Sequence, residues 1–152
     1  ICRESCSYEG QAAITLEAIA EDYLLNYSEE IEPYPFLVRK LECSLLSIEP
    51  RPMWEALLTD LRQTLPVGMM AAKFHFGLAE AIAMMVERLS FETDFNQVIL
   101  TGGVFQNQVL LTQVCQHLTA KNLEVLTPSQ VPANDGGLSL GQAVIAAAKL
   151  EE

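Results

Sequence analysis

Two stretches decide how this chain is read: Val98-Ile-Leu-Thr-Gly-Gly-Val-Phe-Gln-Asn107 and Val131-Pro-Ala-Asn-Asp-Gly-Gly-Leu-Ser-Leu-Gly-Gln-Ala143. In the first, a short continuous apolar run from Gln97 to Thr101 ends in a glycine pair, which predicts a central buried strand. Leu110 to Leu118 has helical spacing, and Glu124-Val-Leu126 reads as a further strand. A strand, helix, strand order this tight implies a parallel pair with a right-handed crossover. In the second stretch an Asn-Asp-Gly-Gly turn opens a last helix, Leu138 to Leu150, dense in Ala and Gly. Its small residues would allow close packing against a sheet. A buried strand ending in Gly-Gly can bring backbone N–H groups up to a phosphate. An Asp in a second loop can hold a cation beside it.

Working back towards the N-terminus, Pro66 starts the longest helical pattern. Val67, Met70, Phe74, Leu78, Ala81, Ile82, Met85 and Leu89 recur at three- or four-residue steps through about Ser90. The methionines at 69, 70, 84 and 85 read as core filler. Before it, Pro52 can occupy the first turn of a helix whose apolar face is Trp54, Leu57, Leu58 and Leu61. Phe36 to Lys40 and Leu41 to Ile48 predict two short strands in a hairpin, preceded by an acidic loop broken at Pro33 and Pro35. Gln11 to Asn26 carries a helical stripe of Ala12, Leu16, Ile19 and Tyr23, and Gly10 lets the chain turn sharply into it.

With 152 residues, half of them hydrophobic and 19% charged, the chain has one domain's worth of length and a substantial core. Nine Lys and Arg against twenty Asp and Glu give a net charge of -11, which repels a phosphate backbone and an anionic membrane alike. Nucleic acid and membrane are therefore not expected as partners. No uninterrupted apolar stretch of about 18 residues is present, so no spanning helix is expected. The N-terminus lacks a basic region followed by an apolar core, so a signal peptide is not expected either. Ile1-Cys-Arg-Glu-Ser reads as the middle of a longer chain. Cys2, Cys6, Cys43 and Cys115 form no C-x-x-C pair and have no neighbouring His at zinc spacing. They read as reduced thiols, two of them buried, in a cytoplasmic protein.

Several residues can carry chemistry, and each also has a structural reading. Glycine at 102 and 103 would admit phosphate oxygens to backbone amides, or would simply make a tight strand-to-helix turn; the pattern is neither a Walker loop nor G-x-G-x-x-G. Gln106 and Asn107, placed in the first helical turn, suit a base or ribose hydroxyls, while Asn107 can equally cap the helix. Asp135 can ligate a metal or cap the last helix. Glu9 can accept from a ribose diol or stay solvated. His75 and His117 lack H-x-x-x-H or H-E-x-x-H spacing, and no Ser-His-Asp set can be argued around Ser139.

Taken together, Tyr8-Glu-Gly-Gln-Ala-Ala13, Thr101-Gly-Gly-Val-Phe-Gln-Asn107 and Pro132-Ala-Asn-Asp-Gly-Gly-Leu-Ser-Leu-Gly-Gln-Ala143 resemble the C-terminal region of the HypF carbamoyltransferases, and Phe74-His75 fits as well. The resemblance runs from Tyr8 to about Lys149. It implies an α/β fold: the second lobe of an actin-like ATPase (ribonuclease H-like) architecture, with a short mixed sheet and helices packed on it. Residues 1–152 would be a single domain, the C-terminal lobe of a larger multidomain chain whose N-terminal lobe and upstream domains lie outside this sequence. Gly102, Gly103 and Asn107 would line a nucleotide pocket, Glu9 would reach the ribose side, and Asp135 would be one ligand of a divalent metal. The family's other ligands are two histidines of the first lobe, which no segment here matches. The implied cofactors are ATP, as carbamoyl-adenylate, and that metal. The implied reaction passes a carbamoyl group to the C-terminal cysteine of the partner HypE during [NiFe]-hydrogenase maturation. None of the four cysteines would be a nucleophile, and the fragment alone would be inactive.

Two other readings stand beside this one. A threonylcarbamoyl or O-carbamoyl transferase lobe would share the superfamily, but Phe105-Gln106 after Gly-Gly-Val and Gln11 after Glu-Gly depart from the threonylcarbamoyl pattern. A non-catalytic protein-binding module would use the glycine loops as turns only. An isolated lobe should also expose the apolar surface that meets its partner lobe, and self-associate through it.

Overall fold

The structure, a computed structural model, describes residues 5–41 and 45–150. The chain runs α1 (Gln11–Asn26), β1 (Leu37–Lys40), β2 (Leu46–Glu49), α2 (Arg51–Arg62), α3 (Val67–Ser90), β3 (Gln97–Ile99), α4 (Gln108–Ala120), β4 (Glu124–Leu126) and α5 (Leu138–Leu150). Short 3-10 turns at Gly103–Gln106 and Asp135–Gly137 lead into the last two helices. The helices and strands follow the sequence periodicity closely. The predicted hairpin is the antiparallel pair β1–β2 and the predicted parallel pair is β3–β4; together they supply both strand senses as two separate two-stranded sheets. The helix α4 joins the parallel strands, and its buried Leu110, Val114 and Leu118 explain why it lies on them.

Packing centres on α3. One side of it meets Tyr34, Phe36, Met53 and Leu57; the other meets Leu100, Leu110, Val114 and Leu118. Burial on both sides requires small residues, and Ala71, Ala72, Ala79, Ala81 and Ala83 are all buried. At 24 residues, α3 is long and apolar enough to cross a membrane by length and hydropathy, contrary to the sequence expectation, yet here it is the central core helix. The segment before β1 crosses α3 at Gly77: a Cβ there would stand 2.1 Å from the Tyr34 carbonyl oxygen, and the Tyr34 N–H donates to the Lys73 carbonyl at 3.0 Å. Asp60 on α2 closes the same seam. It accepts from the Tyr34 hydroxyl at 2.9 Å and pairs with Lys73 at 2.7 Å, both charges nearly out of solvent. Burial, with the hydrogen bond to the Asp60 carboxylate and its charge, raises the Tyr34 hydroxyl far above its usual range.

Two expectations are corrected here. The last helix does not pack against a sheet: all thirteen residues of α5 are exposed, and its main contact is the turn before it. The apolar face of α2 is only partly covered, with Leu57 buried but Trp54, Leu58 and Leu61 exposed; Met53 takes the second buried position. Of the cysteines, Cys6 is exposed and Cys115 half-buried, while Cys2 and Cys43, on which the expectation of two buried thiols depends, lie outside the described residues. Burial pushes the Cys115 thiol up, which favours its protonated form.

Candidate functional site

The β3 strand delivers the first loop. After Leu100, whose N–H continues the parallel ladder to the Leu126 carbonyl at 2.9 Å, the backbone reverses at Gly102. Gly102 has φ 103° and ψ 158°, a region essentially closed to residues with a Cβ. This is why the sequence has glycine there. Gly103 is different: its φ is not positive, and a Cβ would only approach the Asn134 Cβ, at 4.0 Å. The fold does not demand glycine at 103, so the open space beside it is free for something else.

The second loop lies directly against the first. The Gly102 N–H donates to the Ala133 carbonyl at 2.7 Å, and the Thr101 hydroxyl donates to the same oxygen at 3.3 Å. Asn134 folds its side chain back to accept from the Gly136 N–H at 3.0 Å, an Asx turn. Asn134 therefore makes the cap that Asp135 was considered for, and no hydrogen bond or ion pair of the Asp135 carboxylate is found among the described residues. Thr101, Gly102, Asn134, Asp135, Gly137 and Gln142 share one cavity of about 420 Å³. A second cavity of about 350 Å³, with Phe105, Gln106 and Gln108 in its wall, lies across the Pro128–Ala133 segment and shares that segment.

Asn107 is the N-cap of α4: its Oδ1 accepts from the Leu110 N–H at 2.8 Å. Its Nδ2 meets His75 Nε2 at 2.9 Å, and His75 Nδ1 lies 2.8 Å from the Ala71 carbonyl. His75 is 2% exposed, and this burial lowers its pKa, opposed in part by the Ala71 bond and the charge of Glu17. Glu17 on α1 reaches the same helix start and accepts from the Gln108 N–H at 2.6 Å. The positive end of α4 is thus satisfied by one carboxylate and one carboxamide.

Of the residues expected at the site, Gly102 and Asp135 line the same cavity, and Gly103 follows Gly102 beside Asn134. Asn107 sits one short turn along, at the base of the loop. Glu9 lies exposed ahead of α1 and is not among the residues lining either cavity. Sequence reasoning missed Glu17, and it weighed His75 only as a metal ligand and as part of the Phe74-His75 resemblance. Glu17 has no local signal, because its partner lies 91 residues away. His75 had one: a lone imidazole within an otherwise apolar helix must find hydrogen-bond partners once buried. Among the described residues, no group of three His, Cys, Asp or Glu side chains converges as a metal cage. Asp135 can supply one oxygen ligand to a hard cation, and the rest of the coordination sphere would have to come from outside these residues.

Comparison with known proteins gives a consistent result. A family model described as "Carbamoyltransferase, Kae1-like Domain, second subdomain" matches residues 1–142. The carbamoyltransferase HypF of Rhodobacter capsulatus is 39% identical over 151 residues, covering 99% of this chain and 18% of the relative. That of Synechocystis is 34% identical over 136 residues, covering 90% of this chain and 16% of the relative. The solved structure of full-length HypF in its phosphate- and nucleotide-bound form superposes with a TM-score of 0.83 at 34% identity, covering 99% of this chain and 19% of that one. The arrangement of five helices and two small sheets is consistent with one lobe of the ribonuclease H-like fold. The chain thus spans under a fifth of each of these relatives.

Proposed function

This chain belongs to the HypF carbamoyltransferase family, as the second subdomain of its Kae1-like domain, and from that premise we propose that it forms the nucleotide- and metal-contacting side of a carbamoyl-transfer site. The observation that carries this reading is the convergence of Gly102 and Asp135 on one cavity, with their loops joined by the Gly102–Ala133 hydrogen bond. The Gly102 N–H is held by the Ala133 carbonyl, so the amide of Gly103 just after it would hold the phosphate, with no Cβ of either glycine in the way. The free carboxylate of Asp135 would hold one coordination position of a divalent cation, which when bound supplies positive charge next to the phosphate. The ribose contact of Glu9 and the place of Asn107 at the base of the nucleotide loop belong to the same proposal; the Asn107 carboxamide itself is held by the Leu110 N–H and His75.

In the complete site, carbamoyl-adenylate would meet the C-terminal cysteine of HypE, in the maturation of [NiFe]-hydrogenase. The partner's thiolate attacks the carbamoyl carbon, a C–S bond forms, the bond to the phosphate oxygen breaks, and AMP leaves. This chain's share is to bind and orient the adenylate; the attacking sulfur is the partner's. The reading also makes residues 1–152 one lobe of a longer cytoplasmic polypeptide, with this part inactive when isolated.

Calorimetric titration of the full-length native polypeptide containing this chain, with a non-hydrolysable ATP analogue and a divalent metal, tests the proposal. Saturable binding abolished by Asp135→Ala and by Gly103→Val is expected. Unchanged affinity in both variants would remove the site from these loops. A carbamoylation assay with HypE completes it: turnover by residues 1–152 alone would contradict the division of labour.

A further inference from the structure

Asn107 joins two things that must stay in register: the glycine loop on its N-terminal side and α4 on its C-terminal side. The loop is tied inside itself by Phe105 N–H to the Gly102 carbonyl at 3.1 Å and by Asn107 N–H to the Val104 carbonyl at 3.2 Å. It is tethered to the rest of the molecule at its far end by the Gly102–Ala133 bond. At its near end the tether is the Asn107 side chain. That side chain can be oriented in two ways, and only one serves the cap: Oδ1 must face the Leu110 N–H, so Nδ2 must face away.

The partner that meets Nδ2 is His75. A backbone carbonyl can only accept, so the 2.8 Å contact with Ala71 puts the ring proton on Nδ1. Nε2 then presents its lone pair to the Asn107 amide at 2.9 Å. The whole chain is polar in one sense: Leu110 N–H to Asn107 Oδ1, Asn107 Nδ2–H to His75 Nε2, His75 Nδ1–H to the Ala71 carbonyl. We infer that His75 is a positioning residue for the nucleotide cleft: its Nδ1-protonated ring locks the Asn107 carboxamide in its capping orientation and so anchors the near end of the Gly102–Gln106 loop. His75 itself lines neither cavity beside that loop. It acts through Asn107, from the middle of the rigid core helix.

The charged group that acts on His75 is Glu17 from α1; Asn107 from the start of α4 and the neighbouring Phe74 ring, 5.7 Å away and edge-on, are uncharged. A second proton on the ring would set Nε2–H against Nδ2–H, two donors facing each other. The amide would have to turn, and the Leu110 N–H would lose its acceptor.

The inference rests on the nucleotide-site reading above, and the experiment separates the two. Affinity for the ATP analogue with divalent metal is measured on the full-length native polypeptide containing this chain and on its variants. His75→Leu, which leaves Nδ2 without an acceptor, is expected to weaken binding about tenfold. His75→Gln, whose amide oxygen can stand near the place of Nε2, is expected to restore it to within about threefold. On an Asn107→Ala background, His75→Leu should add no further loss, because the two act as one unit. Unchanged affinity in His75→Leu alongside loss in Gly103→Val and Asp135→Ala would overturn the positioning role and leave the site standing. Equal losses in His75→Leu and His75→Gln, or losses that add to that of Asn107→Ala, would overturn it as well. Absence of nucleotide binding in the wild type would remove both. If circular dichroism shows that His75→Leu unfolds, the pH profile decides: affinity should fall on acidification in the wild type and not in His75→Gln, and parallel profiles would overturn the inference.

Discussion

The part of the molecule built from α1, the β1–β2 hairpin and α2 closes on α3 around Tyr34, Phe36, Met53, Leu57 and Met70, with Asp60, Lys73 and the Tyr34 hydroxyl satisfying one another at its edge. The part built from β3, α4, β4 and α5 covers one face of its sheet with α4, in the core that α4 shares with α3, and leaves the other bare. Ile99 and Leu126, paired across the parallel strands, are both exposed, Ile99 to 67%, and α5 carries Leu138, Leu140, Val144 and Ile145 in the open. Parallel strands are ordinarily covered on both faces. Bare apolar surface does not separate the two parts, since Trp54, Leu58 and Leu61 on α2 are exposed as well. The difference lies in the loops: the first part closes its core with a satisfied polar seam, whereas the second presents the two glycine loops and the cavities beside them.

The comparison can be broken first at Gly77. Because a Cβ would meet the Tyr34 carbonyl, Gly77→Val should cost about 3 kcal/mol or more in chemical denaturation, or prevent folding. A cost below about 1 kcal/mol would mean that the closed part is not tightly built. Asp60→Ala comes next. Leaving the Lys73 charge nearly buried and unpaired should destabilise by about 3 kcal/mol, measured in the same way. Gly102→Ala should cost about 1–3 kcal/mol through backbone strain alone, since nothing crowds its Cβ, while Gly103→Ala should stay within about 0.5 kcal/mol. Equal costs at 102 and 103 would erase the distinction drawn between a glycine the fold needs and one it does not.

A smaller effect follows from His75. Burial holds its pKa below 6.5 in the folded state, so the unfolded chain binds the proton more readily. The stability this ring contributes is fully present above the unfolded value and is lost as pH falls through the folded one. Thermal midpoints between about pH 7.5 and about pH 5 should therefore fall more steeply in the wild type than in His75→Gln. At the far end of the scale, Val144→Ser with Ile145→Ser on α5 should change the stability of residues 1–152 by less than about 0.5 kcal/mol, because neither side chain is covered. The same pair should suppress self-association of the isolated chain in sedimentation. A strict monomer at high concentration before substitution would count against that surface being adhesive.

Much of this was legible in the sequence, for reasons that differ by element. The extent of α3 and the β3 and β4 runs follow from periodicity and β-branched content, and Gly10 and Gly102 mark two backbone reversals that glycine makes easily. Of the α3 stripe read from the sequence only Met70 and Ala81 are fully buried, and the other buried positions of that helix are small residues and His75. The choice between cap and ligand at Asn107 and Asp135 was not legible, because a short polar side chain at a helix start looks the same in either role. The structure gives the cap at Asn107 to its own Oδ1 and the turn at 135 to Asn134, leaving the Asp135 carboxylate free. The packing of α5 was misread for a related reason: a helix rich in small residues says that something will come close, not what.

Local chemistry along the chain fixed the helices, the strands and the two glycine turns, since each depends on residues only a few positions apart. What only the folded chain decided was which distant groups meet: Gly102 with Ala133, Asn107 with His75, and Glu17 with the first amide of α4. Those meetings depend on how α1 and α4 seat on the alanine-rich faces of α3, and burial and shape set that seating. No spacing along the sequence records it.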